Sequence, residues 1–494
     1  MTTDAVLGVD IGTSSSKGVL VSLDGRILRT AIREHSVSRP VPGHVEADGD
    51  VWWREFVELA TELIDDERVV AVGVSGMGPC TLLTDDRGNP LRPAILYGID
   101  TRATEQIERL NREFGADEIL ARCGSSLSSQ AVGPKLAWVA ENEPRVWARA
   151  RRLFMPSSWL VWKLTGEYVL DFHSASQCTP LFDSSALDWY QPWASRIAPA
   201  LDLPTLRWPG EPAGYTESAV AGIPAGTPVI TGTIDAWSEA VSVGAQAAGD
   251  LMLMYGTTMF LVLTLDAPVT EPSMWGTVGA FEGTRNLAGG MATSGAITNW
   301  LRELTGEDYP RLVAEAATSG VGAGGILMLP YFAGERTPIQ DPDARGTIVG
   351  LTLSTTRGDL YRAALEGTAF GVRHNVATMA RAGAVARRVV AVGGGTQGDL
   401  WTQIVSDATG LEQAVPTVTI GASFGAAFLA AGLVSAPDIA VWNPIDRIVT
   451  PEPAAAAVYD ELYSLYRELY PATATVSHRL AGFQRARAAT ESNE

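Results

Sequence analysis

The chain has 494 residues, 46% of them hydrophobic, with a formal net charge of −19 and only three lysines, Lys17, Lys135 and Lys163. That length exceeds one ordinary core and points to two large domains. The scattered basic residues exclude a nucleic-acid partner, which needs a clustered basic surface. Cys80, Cys123 and Cys178 are odd in number and far apart, and His35, His44, His173, His374 and His478 show no metal-ligand spacing, so a disulfide framework, structural zinc and a histidine metal site are not expected. No apolar run of about 20 residues is present. The N-terminus enters the first strand almost at once, and the expectation is a cytoplasmic protein with no membrane partner.

Short β-branched runs predict strands at 6–10, 18–23, 69–74 and 81–84, with Asp24-Gly25 as a hairpin turn that places the first two in an antiparallel meander. Helical patterns follow at 51–65, with Asp50 as N-cap, and at 104–114, 134–141 and 157–164. A Pro/Gly-rich stretch over 204–228 precedes an apolar strand at 228–232, then Asp235, then a helix at 237–243. At 251–265 the chain reads strand, Gly256-Thr257-Thr258, strand, which echoes the opening hairpin at half the chain length. Further on come a helix at 296–304, a strand at 326–331, a long helix at 356–379 and a strand at 388–392. Gly393 to Gly398 and a helix at 400–409 follow. A terminal helix covers 452–470, and the last dozen residues are polar and expected to fray.

The segment Val6 to Leu23 carries the strongest chemical signal. Its loop of Gly12, Thr13, Ser14 and Lys17 supplies small residues, backbone N–H groups, hydroxyls and a cation, which suit a polyphosphate. Asp10 at its entrance has the wrong charge for phosphate, and a divalent cation between them reconciles the two. No Walker sequence occurs. Strand, three glycines and helix around Gly394, Gly395 and Thr396 form a second phosphate or nucleotide context. Asp235, just past a strand, is either a cleft-facing carboxylate or a helix N-cap. Three motifs compete. Gly320 to Gly325 matches G-x-G-x-x-G, but a strand follows where the dinucleotide fingerprint needs a helix. Gly421-Ala-Ser-Phe-Gly425 matches a nucleophile elbow on Ser423, leaving a serine hydrolase as an alternative with His478 as the downstream histidine. Glu335 and Arg336 are read as pairing with other charges.

Taken in order, Gly8-Val-Asp-Ile-Gly-Thr13, Pro134-Lys-Leu-Ala-Trp138, Asp235, Gly256-Thr-Thr258, Gly334-Glu-Arg-Thr-Pro338, the segment Gly350 to Gly367 and Gly393-Gly-Gly395 resemble the FGGY carbohydrate kinases, of the actin/hexokinase/Hsp70 ATPase superfamily. The likeness runs toward xylulokinases at Trp52-Trp53 and Arg92-Pro-Ala-Ile-Leu96. The resemblance implies an α/β chain of two actin-like (ribonuclease H-like) domains with a central cleft: 1–245 with the sugar side and catalytic Asp, 246–440 with the nucleotide side, and a helical extension and polar tail at 441–494. It implies ATP and Mg2+ as cofactors and a sugar or polyol substrate. Asp235 would be the catalytic base and, with Asp10, a magnesium ligand. Gly12, Thr13, Ser14, Lys17, Gly256, Thr257, Thr258, Asn299, Gly394, Gly395 and Thr396 would line the nucleotide. Met77, Gly78, Asp100, Asp235 and Trp237 would face the substrate, Trp237 stacking on a sugar face and Gly78 leaving room. A homodimer is a family-level expectation, and a non-catalytic nucleotide-binding member of the fold is a second alternative. This chain departs from the family at Met77-Gly78-Pro79, where xylulokinases carry Gln-Met-His and glycerol kinases Gln-Arg-Glu. It departs again at Ala236, where Asn or Gln is usual.

Overall fold

The computed structural model describes residues 3–491. The chain forms two units: one of Met1–Ala248, Thr264–Leu287 and Ile420–Pro444, the other of Gly249–Leu263, Ala288–Thr419 and Ile445–Glu494. Residues 420–444 thus pack with the N-terminal half, whereas the sequence division assigned most of them to the second domain.

In the first unit, β1 (Asp4–Ile11), β2 (Ser15–Ser22) and β3 (Ile27–Glu34) make the expected meander, the Asp24-Gly25 turn joining the last two. Helix α1 (Gly49–Leu63) leads into β4 (Arg68–Gly76), which pairs parallel to β1. The cap of α1 is Asp48, accepting from the Asp50 N–H at 2.9 Å, and not Asp50 as expected. Beyond β4, the sheet continues through β5 (Pro212–Tyr215) and β6 (Pro228–Ile230), in the order β5-β6-β4-β1-β2-β3, while the short β7 (Thr233–Ile234) pairs with the end of β4 and opens directly into α2 (Asp235–Ser242).

Both faces of β1 are buried because two helices cover it. On one side Trp52, Phe56, Leu59 and Leu63 of α1 join Leu7, Val9, Leu20 and Val72 in a core cluster. On the other lies the helix Ala422–Ala431, whose approach depends on missing side chains. A Cβ on Gly8 would stand 2.0 Å from the Ser423 carbonyl oxygen, and one on Gly73 2.0 Å from that of Ala426. A Cβ on Gly425 would meet the Ser238 carbonyl of α2 at 1.9 Å. The small residues of Gly421-Ala-Ser-Phe-Gly425 are therefore a helix-crossing motif, which fixes α2 and its leading Asp235 against the end of β1.

The second unit repeats the hairpin-plus-parallel-strand plan. Strand β8 (Asp250–Tyr255) pairs antiparallel with β9 (Met259–Leu265) and parallel with β10 (Arg388–Val392). Helix α3 (Gly295–Thr305) and the long α4 (Arg357–Arg381) precede β10. A reciprocal cap starts α4: Thr356 N–H donates to Asp359 at 2.8 Å, and Asp359 N–H to Thr356 Oγ1 at 3.2 Å. After β10, α5 (Asp399–Thr409), β11 (Gln413–Pro416) and β12 (Ile445–Val449) complete the sheet edge.

The terminal helix α6 (Pro453–Glu491) outruns the expected 452–470 and passes through Pro471. Its aromatic anchors explain this. Tyr459 OH donates to Glu366 at 3.0 Å, the Tyr466 and Tyr331 hydroxyls meet at 2.9 Å, and Tyr470 and His478 both reach Asp341 Oδ2, at 2.6 and 2.7 Å. Tertiary contacts on both sides of Pro471 outweigh the one backbone hydrogen bond it removes. The tail expected to fray is helical through residue 491, and 492–494 lie outside the described residues. No described helix is long and apolar enough to cross a membrane.

Candidate active site

The turn between β1 and β2 is closed by the Gly12 N–H donating to Ser15 O at 3.0 Å, and Thr13 Oγ1 shares a 2.7 Å hydrogen bond with the Tyr97 hydroxyl. Ser14 and Lys17 are exposed. Asp10 stands directly opposite Lys17 in the β1–β2 register, so both side chains leave the same face of the sheet. On the other flank Asp10 neighbours Ser75 of β4, whose hydroxyl donates to Oδ1 at 2.8 Å. Burial pushes the Asp10 carboxyl up to about 6, against the Ser75 bond and the Lys17 charge, which favour ionisation.

Asp235 is the first residue of α2. The N-cap position belongs to Ile234, so the helix-cap reading of this aspartate does not hold. Its Oδ1 accepts the Ala236 N–H at 2.7 Å. Burial, then repulsion from Asp10, raises its carboxyl to about 7. One turn on, Glu239 is raised to about 7 by burial and by Asp10, with Lys17 opposing and Asp235 adding to the rise. Glu239 was missed in the sequence. Its signal was the spacing from Asp235, four residues along a helix, which puts both carboxylates on one face. Mutual destabilisation of carboxylates around Asp10 is the condition a divalent cation relieves. Among the described residues no three acidic or histidine side chains close into a metal cage. The donor set therefore fits a Mg2+ held by one or two carboxylates that takes its other ligands from phosphate and water.

In the second unit, the hairpin Gly256-Thr257-Thr258 is braced by the start of α3. Gly295 N–H donates to Gly256 O at 3.0 Å, and Ser294 and Ala296 N–H to Thr257 O at 3.0 and 3.1 Å. The Thr257 and Thr258 side chains are left exposed. Past β10, Gly393 takes φ 92° and a Cβ there would stand 2.6 Å from the Tyr255 carbonyl oxygen, so the glycine loop folds flush on the end of β8. A Cβ on Gly395 would meet the Trp401 ring at 2.9 Å, whereas Gly394 opens to free space. Thr396 is buried, and its hydroxyl donates to Gly393 O at 2.8 Å. Its part in the loop is thus to hold the turn, not to offer its hydroxyl. Asn299, on α3, donates to Glu303 at 3.0 Å.

Two domain models together span most of the chain: the N-terminal domain of the FGGY family of carbohydrate kinases matches residues 5–242, and its C-terminal domain residues 251–433. The chain belongs to the FGGY family of carbohydrate kinases. The kinase is 28% identical over 480 residues to the xylulose kinase of Escherichia coli K12, covering 94% of this chain and 98% of that protein. It is 34% identical over 482 residues to the glycerol kinase of Thermus brockianus, covering 92% and 96%. Among solved structures, the xylulose kinase of Rhodospirillum rubrum superposes with a TM-score of 0.89 at 31% identity, covering 96% of this chain and all (100%) of that one. The expected two-domain actin-like α/β fold and sugar or polyol kinase class hold.

Several substrate-side expectations change. Met77 is 1% exposed and belongs to the core cluster around Val74 and Leu82. Gly78 does not open a larger pocket: a Cβ there would stand 2.6 Å from Ile234 Cγ1, the residue that leads into Asp235. Asp100 accepts the Val45 N–H at 2.6 Å and four bonds from Arg102, and both side chains are 0% exposed. It is an internal anchor of the 97–102 turn. Trp237 is 5% exposed; its indole N–H donates to Asn286 at 2.9 Å and its ring centroid lies 3.7 Å from that of the His173 imidazole, which covers one face of it. His173 donates from Nδ1 to Val278 O at 2.7 Å, and burial pulls its pKa down to about 3, so a neutral ring backs the helix that Asp235 opens. Ser423 is 1% exposed and its hydroxyl has no hydrogen-bond partner among the described residues, while His478 is engaged with Asp341, so no hydrolase triad forms. Glu335 accepts from the Ala292 and Arg336 N–H groups at 2.8 and 2.7 Å, and burial raises it to about 8. It acts as a backbone clamp, with the Arg336 charge beside it opposing the rise.

Proposed function

We propose that the kinase transfers the γ-phosphoryl group of ATP to a hydroxyl of a ketose of the xylulose kind or a linear polyol, with Asp235 as general base. The observation that carries this reading is Asp235 itself, a carboxylate at the head of α2 with a pKa near 7. A base tuned near the operating pH gives the best product of correct protonation and proton affinity. Such a carboxylate takes the hydroxyl proton as the oxygen attacks, a contribution of about 10²–10⁴ in rate. Asp10 and Asp235 are proposed to hold Mg2+, which when bound neutralises charge developing on the phosphates. Lys17 adds a cation, and the turn that Gly12 closes adds the Thr13 and Ser14 amides and the Ser14 hydroxyl as donors on the first unit. Gly256, Thr257, Thr258, Gly394 and Gly395 are the proposed nucleotide contacts on the second, with Asn299 nearby. The curated relatives include both xylulose and glycerol kinases, which supports a substrate class spanning ketoses and polyols. The replacement of polar side chains at Met77-Gly78-Pro79 and Ala236 supports a substrate recognised through fewer hydroxyl contacts on that side. ADP release across a panel of ketoses and polyols tests the reading. One or more members should give signal that Asp235→Asn removes. ADP release from no acceptor, or full activity in Asp235→Asn, would refute it.

A further inference from the structure

His35, the residue after β3, grips the Gly12–Ser14 turn at both ends. Its imidazole Nε2 lies 3.1 Å from the Gly12 carbonyl oxygen, and its backbone N–H donates to the Ser14 carbonyl at 3.0 Å. On the far side of the ring, Nδ1 lies 2.9 Å from Glu55 Oε2 on α1, and the Ser16 hydroxyl donates to the same oxygen at 2.6 Å. The side chains of His35 and Glu55 are only 11% and 5% exposed. A carbonyl oxygen can only accept, so Nε2 carries a proton. Glu55 holds the opposite edge of the ring at Nδ1, and the two side chains together form a hydrogen-bonded pair buried under the turn.

The consequence for the turn follows from the planar trans peptide, in which C=O and N–H point in opposite directions. Fixing the Gly12 carbonyl toward His35 turns the Thr13 N–H away from it. Neither the Thr13 nor the Ser14 N–H has an intramolecular partner among the described residues. We propose that His35, oriented by Glu55, is a positioning residue that holds the Gly12–Ser14 turn in the conformation that presents free amides to the β- and γ-phosphates of the nucleotide. The inference rests on the proposed reading of this turn as a phosphate contact.

Calorimetric binding of Mg–ADP and of AMP to the full-length protein tests it. AMP lacks the phosphates that the turn would hold. His35→Ala should weaken ADP binding about tenfold, the worth of one or two lost hydrogen bonds. AMP affinity and the KM for the acceptor should stay unchanged, and His35→Gln, which keeps a donor at the Nε2 position, should recover most of the loss. A fall in ADP and AMP affinity alike, or no change in either, overturns the proposal. Lys17→Ala keeps the two readings apart. If it weakens ADP binding while His35→Ala does not, the positioning role is wrong and the phosphate turn stands. If neither variant affects ADP, the turn is not a phosphate site and both readings fall. Should His35→Ala melt at assay temperature, Glu55→Gln replaces it, with the same selective loss for ADP expected and its absence overturning the proposal.

Discussion

Replacing Asp235, the proposed base, should make the unliganded kinase more stable as well as far less active. Asp235 titrates near 7 in the folded chain because burial and Asp10 disfavour its charge, whereas in the unfolded chain it titrates near 3.8. Between those values the folded state holds a proton that the unfolded state has released. Stability therefore falls as pH rises through the window from about 4 to about 7, and the full cost is present above it. At about 1.36 kcal/mol per pH unit, the gap sets a ceiling on the order of 4 kcal/mol, which Asp10 shares because the two carboxylates repel each other. Asp235→Asn keeps an oxygen for the Ala236 N–H and removes the charge. Without magnesium, its Tm should exceed wild type by several degrees at pH 8 and converge with it near pH 4. Added Mg2+ should raise wild type more than the variant, narrowing the gap. In the same preparation kcat should drop by about 10²–10⁴. Thermal melts from pH 4 to 8, with and without Mg2+, read all of this. Parallel pH curves for the two proteins, or a variant less stable at pH 8, would refute the reasoning that Asp235 is a charge held against its preference.

Ser423→Ala should retain full kinase activity and match or exceed the wild-type Tm, because it removes a buried hydroxyl that has no partner; loss of activity would contradict its packing role. Gly8→Ala puts a methyl 2.0 Å from the Ser423 carbonyl, and the melt should drop sharply or soluble protein should be lost, since backbone on both sides cannot yield. Gly78→Ala should cost about 1–3 kcal/mol by overpacking against Ile234 and lower kcat more than acceptor KM, because Ile234 leads straight into Asp235, the proposed base; an unchanged kcat would argue against that coupling. The pH profile of kcat/KM should fall below about 7 at low Mg2+, where Asp235 becomes protonated, and this limb should move to lower pH as Mg2+ rises and offsets the Asp10 charge.

The parts of the fold that were legible in the sequence are those whose local pattern and tertiary role agree. The β1–β2 hairpin and its counterpart at β8–β9 are apolar runs around a glycine turn, and the first is buried on both faces. Asp10 and Lys17 could be read together because they flank one turn, and the structure makes them cross-strand neighbours. Legibility failed where a residue's meaning depends on what lies across from it. Ser423 sits in a motif that suits a nucleophile, yet its glycines serve a helix crossing over Gly8, Gly73 and α2, a pairing no local window contains. Pro471 is a local stop signal overruled by Tyr470 before it and His478 after it, both holding Asp341. Glu239 and His35 went unread for the same reason: each acts through a distant partner, Asp10 for one and Glu55 for the other. The substrate side illustrates the opposite error. Met77, Gly78, Asp100 and Trp237 were judged from their place in a resemblance, and all four turn inward to packing or to internal hydrogen bonds. Three of the four brace the candidate site: Gly78 fits against Ile234, just before Asp235, Trp237 leans on His173, and Asp100 ties down the turn from which Tyr97 reaches Thr13. Residues expected to choose the sugar instead fix where Asp235 and the Gly12–Ser14 turn stand, so changes at them should alter kcat before they alter which acceptor is used.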